Sequence, residues 1–363
     1  MQKKDGLNYA PVSAAPVQKA VAPGTFHFAA VGLDHGHIYG MCNALTEAGA
    51  ELKWVYDPDP KKVQTVLDRY PGARAIDSVE AVLEDEQIQL VASAVVPCRR
   101  AALGLRVLRA GKHYFADKPG MTTFEQLDEV RAAVAATGKK YYIYFSERLH
   151  VESAMFAQKM IDEGRLGRVL SVTILAPHRL NLPSRDAWFF DPAQNGDILN
   201  DIGSHQYEQF LSYTGARSAR VVASRVANFN LPQHPGFTDF GDCMLEADNG
   251  AAGYCRLDWF TPDGQNAWGD GRVFLVGTKG TLEIRKYLDL AASTEGDHVL
   301  LTDAQGEHRF DVYGKVGFPF FGAFLRDCLD GTENSMTQEH VFEAMRLALE
   351  ASAKAQRIET AQR

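Results

Sequence analysis

The sequence predicts an α/β fold in which a doubly wound parallel sheet of the Rossmann type precedes an α+β domain with a large open, mostly antiparallel sheet. Two observations predict this order. Up to about residue 145, nearly continuous apolar runs alternate with amphipathic helical patterns, as in parallel strands covered on both faces. Further on, strand pairs are joined by tight turns, and Asn249-Gly250 is the strongest hairpin signal among them.

The predicted elements follow one another closely along the chain. The strands of the first domain read FHFAAV, LKWVY, LVASAVV, HYFAD and KYYIYF, and its helices are expected near residues 38–48, 60–70, 99–110 and 124–137. In the second domain, a helix over 152–162 precedes RVLSVTILAP, ARVVASRVANF, three hairpins and a last helix at about 338–355. The predicted division is a flexible N-terminal arm at 1–24, a dinucleotide-binding domain at 25–149, and a substrate-binding and oligomerisation domain at 150–363. An arm that is ordered on a neighbouring subunit is the alternative.

Composition narrows the class of function. The 363 residues carry a net charge of −8 at pH 7, which argues against nucleic acid as the main partner. No segment has the apolar run of a membrane span or a secretory signal. The five cysteines are scattered and never spaced as C-x-x-C, which is typical of reduced thiols rather than of disulfides or a zinc site. We therefore expect a cytoplasmic protein that binds neither nucleic acid nor membranes.

The turn after the first strand, GLDHGH, occupies the place of a dinucleotide-binding turn. Of the G-x-G-x-x-G pattern only Gly32 is in register; Asp34 and His37 occupy the other two places. Gly36 comes one position early. We expect the backbone N–H groups to face the cofactor phosphates, Asp34 to turn away and cap the following helix, and His35 or His37 to donate a ring N–H. A His-x-His metal site is the alternative, but it lacks a third ligand nearby in sequence, and we predict no metal.

Asp57 ends the second predicted strand, some two dozen residues after the opening turn. A carboxylate at this place accepts hydrogen bonds from the ribose hydroxyls of an adenosine and repels a 2′-phosphate, which favours NAD over NADP. An Asp-Pro turn with Pro58, or a helix N-cap, is the alternative interpretation. The predicted cofactor is NAD.

Lys118 follows the strand HYFAD and precedes Pro119. Ligands of open parallel sheets lie beyond the carboxyl ends of the strands, so this ammonium is placed where cofactor and substrate would meet. There it can hydrogen-bond a substrate hydroxyl and stabilise the alkoxide that develops as hydride is removed. On spacing alone, a solvated loop lysine is the simpler interpretation.

The segment DPAQNGDILNDIGSHQYEQF predicts a helix with polar groups along one face. Asp197, Asp201 and His205 fall at i, i+4 and i+8 if the helix begins near residue 197. Asp201 could accept a hydrogen bond from substrate or orient an imidazole, which would leave His205 as a general base. A solvated face, or a metal site formed by the three side chains, are the alternatives.

Four sequence blocks together resemble the glucose–fructose oxidoreductase, inositol dehydrogenase and rhizopine-catabolism family, called Gfo/Idh/MocA. AGKHYFADKPG is similar to the family block A-G-K-H-V-x-x-E-K-P, with Asp117 in place of Glu. DEGRLGRVLSV, DPAQNGDILNDIGSH and VGTKGTLEI resemble three further blocks in the right order. The resemblance implies an NAD(P)-dependent enzyme acting on a hydroxyl of a sugar or polyol, a homodimer or homotetramer, and catalytic roles for Lys118, Asp201 and His205.

The chain also departs from the family pattern. NGD replaces the G-G-G run, and Ala101 stands where the family has a His after its T-P pair, although Val96 and Pro97 still align with that pair. The residues expected to bind the cofactor are Gly32, Asp34, His35, Gly36, His37, Asp57, Val96, Pro97, Asp117 and Lys118.

Cationic and aromatic residues accumulate on the predicted substrate side. The residues expected to bind substrate are Arg148, His178, Arg179, Trp188, Asn200, Asp201 and His205. Guanidinium and imidazole groups suit an anionic group and indole suits a sugar face, while the alternative for any single residue is a surface or ion-paired role.

Three functional hypotheses follow. The first is an NAD-dependent dehydrogenase acting on a sugar, polyol or sugar derivative, including acidic ones. The second is an NAD-dependent glycosidase acting by oxidation, elimination, hydration and reduction on glycosides of acidic or sulfonated sugars, such as sulfoquinovosides. The third is a non-catalytic sugar or NAD sensor, which is placed last because Lys118, Asp201 and His205 are all present.

Overall fold

The computed structural model describes residues 6–359, which form two compact units. The first, here called the Rossmann unit, comprises residues 7–144 and 317–342. The second, here called the sheet unit, comprises residues 145–316 and 343–359 together with Gly6. No helix within the described range combines the length and apolar character needed to span a bilayer.

The Rossmann unit contains a six-stranded, entirely parallel sheet in the order β3-β2-β1-β4-β5-β6. The strand order reverses between β1 and β4, so the loops after these strands flank the crevice in which such sheets bind ligands. The strands are β1 His27–Val31, β2 Glu51–Tyr56, β3 Arg74–Ala75, β4 Ile88–Ser93, β5 His113–Ala116 and β6 Tyr141–Ile143. The helices between them are α1 His37–Glu47, α2 Pro60–Arg69, α3 Val79–Glu84, α4 Pro97–Arg109 and α5 Phe124–Thr137.

The sheet unit contains a nine-stranded mixed sheet in the order β14-β13-β12-β11-β7-β10-β9-β8-β15. Its pairs are antiparallel except for β7 with β10 and β8 with β15, which are parallel. The helices are α6 Ser146–Leu149, α7 Glu152–Asp162, α8 Pro192–Asn195, α9 Ile198–Asp201 and α10 Gly203–Thr214. The strands are β7 Val169–Pro177, β8 Ala219–Ala227, β9 Phe240–Ala247, β10 Ala252–Asp258, β11 Arg272–Gly277, β12 Gly280–Arg285, β13 His298–Asp303, β14 Gly306–Asp311 and β15 Gln356–Arg357. The predicted fold class is confirmed.

The chain returns to the Rossmann unit after the large sheet, which the predicted division at residue 150 misses. Helix α11, Pro319–Asp330, belongs to the Rossmann unit, where the ring centroid of Phe324 lies 5.2 Å from that of Phe115 on β5. Helix α12, Gln338–Lys354, follows it. The return was not predicted because an amphipathic helix in the sequence does not reveal which sheet it covers.

The N-terminal arm also differs from the prediction of a flexible segment over residues 1–24, of which 1–5 lie outside the described residues. From residue 7 onward the arm packs on the Rossmann unit. The Asn43 amide donates to the carbonyls of Ala10 (3.3 Å) and Pro11 (3.2 Å), and the Ala20 N–H donates to the Ala48 carbonyl (2.8 Å). Hydrogen bonds to α1 and to its C-cap residue therefore pair backbone groups of the arm, although its composition alone suggested disorder.

Candidate cofactor and substrate sites

The first loop of the Rossmann unit requires glycine at two positions for different reasons. Gly32 has φ +73°, and a Cβ there would lie 2.8 Å from Cβ of Val95. This is the tight turn that a dinucleotide fold needs after β1. At Gly36, a Cβ would lie 2.4 Å from the carbonyl oxygen of Leu7, so this glycine accommodates the N-terminal arm. Nothing in the sequence of the loop itself indicated that second contact.

Asp34 does not cap α1, and that prediction is wrong. Helix α1 begins after Gly36 without any side-chain cap. The Asp34 carboxylate accepts a hydrogen bond from the Val96 N–H (3.1 Å) and pairs with Lys62 (2.6 Å). Because Val96 is the N-cap residue of α4, the side chain ties the loop after β1 to the loop after β4.

Asp57 holds the same loop from the other side. One carboxylate oxygen accepts from the Leu33 N–H (2.7 Å), and the other accepts from the Asp59 N–H (2.8 Å). Asp57 therefore stabilises the turn with Pro58, as the alternative interpretation predicted. It is not the cap of α2, because that residue is Asp59, whose carboxylate accepts from the Lys61 N–H at 2.9 Å. Ribose binding by Asp57 stays a prediction.

Asp117 is the centre of a buried cluster at the carboxyl end of β5. Its Oδ1 lies 2.8 Å from Nδ1 of His37, and its Oδ2 lies 3.4 Å from Nδ1 of His35 and 3.0 Å from the guanidinium of Arg100. Burial raises the pKa of the carboxyl, but the two imidazoles and the guanidinium outweigh it and hold the pKa well below its ordinary value. The sequence predicted that His35 and His37 belong to the cofactor loop, but it did not indicate that both contact Asp117.

Lys118 follows Asp117 and is only 5% exposed, so it is not a solvated loop lysine. Its peptide bond to Pro119 is cis. Lys118 thus lies at the edge of the parallel sheet where ligands bind, next to the strand-order reversal of β1 and β4.

In the sheet unit, Asp197 is a helix cap and not part of a catalytic face. Its carboxylate accepts from the N–H groups of Leu199 (2.7 Å) and Asn200 (3.1 Å) at the start of α9, and from the Ser352 hydroxyl (2.9 Å). Burial raises the pKa of this carboxyl. Within residues 6–359, the three-residue metal-ligand group is His35, His37 and Asp117, so the metal alternative at Asp197, Asp201 and His205 finds no geometric support.

Asp201 and His205 lie on either side of the junction between α9 and α10, and both are buried. The helical path continues through the junction, because the His205 N–H donates to the Ile202 carbonyl (3.2 Å). The His205 ring meets the Phe145 ring edge-on, with 6.4 Å between the centroids. The catalytic roles of both residues stay predictions.

Glu147 is a buried carboxylate that the sequence reasoning missed. Its Oε1 lies 3.3 Å from Nε2 of His178, and its Oε2 lies 3.3 Å from Nζ of Lys286. Burial raises its pKa, but Lys286, His178 and the nearby His205 outweigh this and hold the pKa well below its ordinary value. A glutamate soon after the apolar run KYYIYF was the one available signal, and its partners are remote in sequence.

Both arginines expected to bind substrate make hydrogen bonds to other groups of the protein. Nε of Arg148 lies 2.8 and 3.0 Å from the two carboxylate oxygens of Glu208, and both side chains are buried. Arg179 donates to the carbonyls of Pro262 (2.9 Å) and Gln265 (2.6 Å). These contacts agree with the alternative interpretation, in which the two arginines are ion-paired or structural. They therefore weaken the argument for an anionic substrate.

The remaining predicted substrate residues lie in the same unit. His178 packs against Trp268 with 4.5 Å between ring centroids. Trp188 lies in a short 3₁₀ segment, Ala187–Phe190, and is half-buried. Asn200 is buried on α9. Substrate binding by these residues stays a prediction.

Comparison with known proteins places this geometry in a family. Residues 26–145 match the oxidoreductase family with an NAD-binding Rossmann fold, and residues 155–283 match a GFO/IDH/MocA C-terminal domain. A structure described as that of an oxidoreductase from Erwinia carotovora atroseptica is 48% identical with a TM-score of 0.89, covering 92% of this chain and 100% of that one.

Other relatives are more distant. The scyllo-inositol 2-dehydrogenase (NAD(+)) of Bacillus subtilis is 24% identical over 83% of each chain. An uncharacterized oxidoreductase of Schizosaccharomyces pombe is 28% identical, over 45% of this chain and only 44% of its own length. Levoglucosan dehydrogenase in complex with NADH and levoglucosan has the same fold, with a TM-score of 0.75 at 17% identity over 91% of this chain and 97% of that one.

The cofactor assignment agrees with the structure. Gly32 has a positive φ in the turn after β1, and the strand order reverses between β1 and β4, and both features are typical of dinucleotide-binding sheets. NAD is the cofactor, and the chain belongs to the Gfo/Idh/MocA family of NAD-binding oxidoreductases.

Proposed function

We propose that the protein is an NAD-dependent dehydrogenase that oxidises a hydroxyl group of an uncharged sugar or polyol. The observation that carries the proposal is Lys118, a lysine buried at the ligand-binding edge of an NAD-type parallel sheet. A buried ammonium at this edge is suited to hydrogen-bond a hydroxyl oxygen and to stabilise the negative charge that develops on it.

The uncharged substrate follows from the partners of the arginines. Arg148 is paired with Glu208, and Arg179 donates to the backbone carbonyls of Pro262 and Gln265, so both guanidinium groups already have partners within the protein and are less suited to anchor a carboxylate or sulfonate. Relatives named as scyllo-inositol and levoglucosan dehydrogenases act on compounds without charge, which supports the same class.

The proposed mechanism assigns one task to each residue of this chain. NAD, when bound, would supply the acceptor for the hydride that leaves the carbon carrying the hydroxyl. Lys118 donates a hydrogen bond to the substrate oxygen, and His205 takes the hydroxyl proton as general base. Asp201, one helical turn before His205, accepts a hydrogen bond from a second hydroxyl or orients the imidazole. In the cofactor site, the backbone N–H groups of the loop after Gly32 would hold the phosphates of NAD, and Asp57 would hold its adenosine ribose.

The test combines substrates with two active-site variants. Purified protein and NAD are incubated with inositols, anhydrosugars, aldoses, sugar acids and aryl glycosides, while NADH and released aglycone are followed separately. We expect NADH from a neutral sugar or polyol. Lys118→Met and His205→Gln should each lower kcat at least about 100-fold, the typical contribution of general acid–base catalysis. Lys61→Met, an exposed lysine of the same unit, is the matched control.

Two results would overturn the proposal. One is full kcat in Lys118→Met with the true substrate. The other is NAD-dependent release of aglycone without accumulation of NADH, which is the signature of the redox-neutral glycosidase.

A further inference from the structure

Three metal-ligating side chains converge at the carboxyl ends of β1 and β5. The cluster consists of His35, His37 and Asp117, whose candidate ligand atoms all lie within 4.8 Å of one another. His35 is 8% exposed, His37 is 9% exposed and Asp117 is fully buried. The third ligand that the His-x-His sequence lacked is therefore supplied by a strand 80 residues further along the chain.

The distances from the two imidazole nitrogens to the carboxylate oxygens of Asp117 are close to those between the ligand atoms of a metal centre. An ion bound tetrahedrally at about 2.1 Å keeps its ligand atoms about 3.4 Å apart. Nδ1 of His35 lies 3.4 Å from Oδ2 of Asp117. Nδ1 of His37 lies 2.8 Å from Oδ1, which is the length of a hydrogen bond and must lengthen by about half an ångström when an ion replaces the shared proton.

The orientation of His35 also favours a cation. Its Nδ1 accepts a hydrogen bond from the backbone N–H of His37 at 3.2 Å, so this nitrogen carries no proton, and its single lone pair must give up that bond when it binds an ion. The same nitrogen faces a carboxylate oxygen at 3.4 Å. Two electron-rich atoms at this separation repel each other, and a cation held between them turns the repulsion into attraction.

Arg100 acts on the outer side of the cluster. Its guanidinium donates to Oδ2 of Asp117 (3.0 Å) and to the carbonyls of Val95 (2.7 Å) and Pro119 (3.1 Å). Ligating carboxylates are commonly oriented by such an outer hydrogen bond. The guanidinium charge also reduces the affinity for a cation, so we expect weaker binding than in a structural zinc site without a neighbouring positive charge.

We propose that His35, His37 and Asp117 bind one divalent first-row transition-metal ion. Two imidazoles and one carboxylate suit Zn²⁺ and Fe²⁺, and three protein ligands leave a position open for water or another ligand. Metal binding at Nδ1 keeps the ring proton on Nε2, so each imidazole can still donate a hydrogen bond to a cofactor phosphate. Because the ion replaces a proton, binding releases protons and weakens as the pH falls.

The experiment measures metal binding directly on the full-length protein without a histidine tag. The metal-free protein is titrated separately with Zn²⁺, Fe²⁺ under anaerobic conditions, and Mn²⁺, and the bound ion is counted after gel filtration. Co²⁺ is added as a spectroscopic probe, because its visible absorption reports imidazole and carboxylate coordination. We expect one ion per chain, with Zn²⁺ or Fe²⁺ preferred over Mn²⁺.

Variants locate the site. His37→Gln and Asp117→Asn should each weaken binding at least about 10-fold and abolish the Co²⁺ spectrum. His35→Gln provides a third variant should either of the others fail to fold. His27→Gln, a partly exposed histidine of the same unit that pairs with Glu51 at 3.5 Å, is the matched control and should bind like the unaltered chain.

Two outcomes would overturn the proposal. One is binding of less than about half an ion per chain at micromolar metal. The other is stoichiometric binding that none of the three cluster variants changes, which would indicate an adventitious site elsewhere. Because the readout requires neither NAD nor turnover, its failure leaves the proposed dehydrogenase activity untouched.

Discussion

Asp117 in the Rossmann unit and Glu147 in the sheet unit are both buried carboxylates among cationic groups, but they depend on their surroundings in different ways. Asp117 in the Rossmann unit faces two imidazoles and Arg100, and Arg100 keeps two backbone carbonyls as further partners. Glu147 in the sheet unit faces His178 and Lys286. Desolvation lowers the pKa of the buried Lys286, and Glu147 is the group that most opposes this. The cations around Asp117 have other partners, because Arg100 also donates to two carbonyls. Lys286, by contrast, has Glu147 as its main counter-ion.

The largest expected effect tests that dependence. Glu147→Gln leaves the Lys286 ammonium, 2% exposed, without its counter-ion, and we expect unfolding free energy to fall by about 3–5 kcal/mol. Asp117→Asn should lower the unfolding free energy by less, because the Arg100 guanidinium keeps its hydrogen bonds to the carbonyls of Val95 and Pro119. The measurement is urea denaturation of both variants. The double variant Glu147→Gln/Lys286→Met should recover most of the loss, and equal costs for the two single variants would remove the distinction between the clusters.

The second effect separates the two units by pH. Burial lowers the pKa of His113, on β5 of the Rossmann unit, to about 4. Its neutral form is favoured in the fold, so its contribution is complete above the ordinary value of 6.5 and is lost as the pH falls from 6.5 toward 4. Between pH 7 and pH 5 this amounts to about 2 kcal/mol. The lowered pKa of Glu147 acts in the other window, since its contribution is present above its ordinary value of 4.5 and is lost below it.

Urea denaturation of the unaltered chain and of His113→Asn at both pH values checks this prediction. The Asn side chain can still accept the hydrogen bond that the His113 imidazole receives from the Lys140 N–H at 3.0 Å. The loss between pH 7 and pH 5 should shrink in this variant and persist in His27→Gln. If the unfolding free energy of His113→Asn depended on pH as that of the unaltered chain does, another group would be responsible for the loss of stability at pH 5.

The smallest effect concerns the loops of the Rossmann unit rather than its buried charge. Asp34→Ala removes the acceptor of the Val96 N–H and a partly exposed ion pair with Lys62, which together contribute about 1 kcal/mol. We expect KM for NAD to rise several-fold with little change in kcat, because the loops after β1 and β4 lose their link. Asp59→Ala, which removes the cap of α2, should lower stability similarly without raising KM. Steady-state kinetics with varied NAD distinguishes the two.

The sequence predicted what is local or periodic. Five of the six strands of the parallel sheet coincide with the predicted apolar runs, whereas β3 is a short exposed strand that the sequence did not predict. The turn at Gly32 and the lysine after β5 are both read from a few neighbouring residues. The four family blocks then identified the second domain, whose strands alone would fit several mixed or antiparallel folds.

What the sequence could not reveal is pairing between distant residues. Glu147 meets Lys286 139 positions away, and Arg148 meets Glu208 60 positions away. A single sequence carries no signal for either pair, so Arg148 looked available for substrate and Glu147 was overlooked. Asp34 was assigned to the nearest helix for the same reason, although its actual partner, Val96, is 62 residues away.

The return of the chain to the Rossmann unit has a consequence for synthesis on the ribosome. Phe115 on β5 packs against Phe321 and Phe324 of α11, which is translated roughly two hundred residues later. Until α11 emerges, the apolar surface beneath it stays open to solvent and to other chains. The nucleotide-binding unit therefore cannot complete its core co-translationally as an N-terminal domain, and a fragment cut after residue 144 would lack part of its own interior.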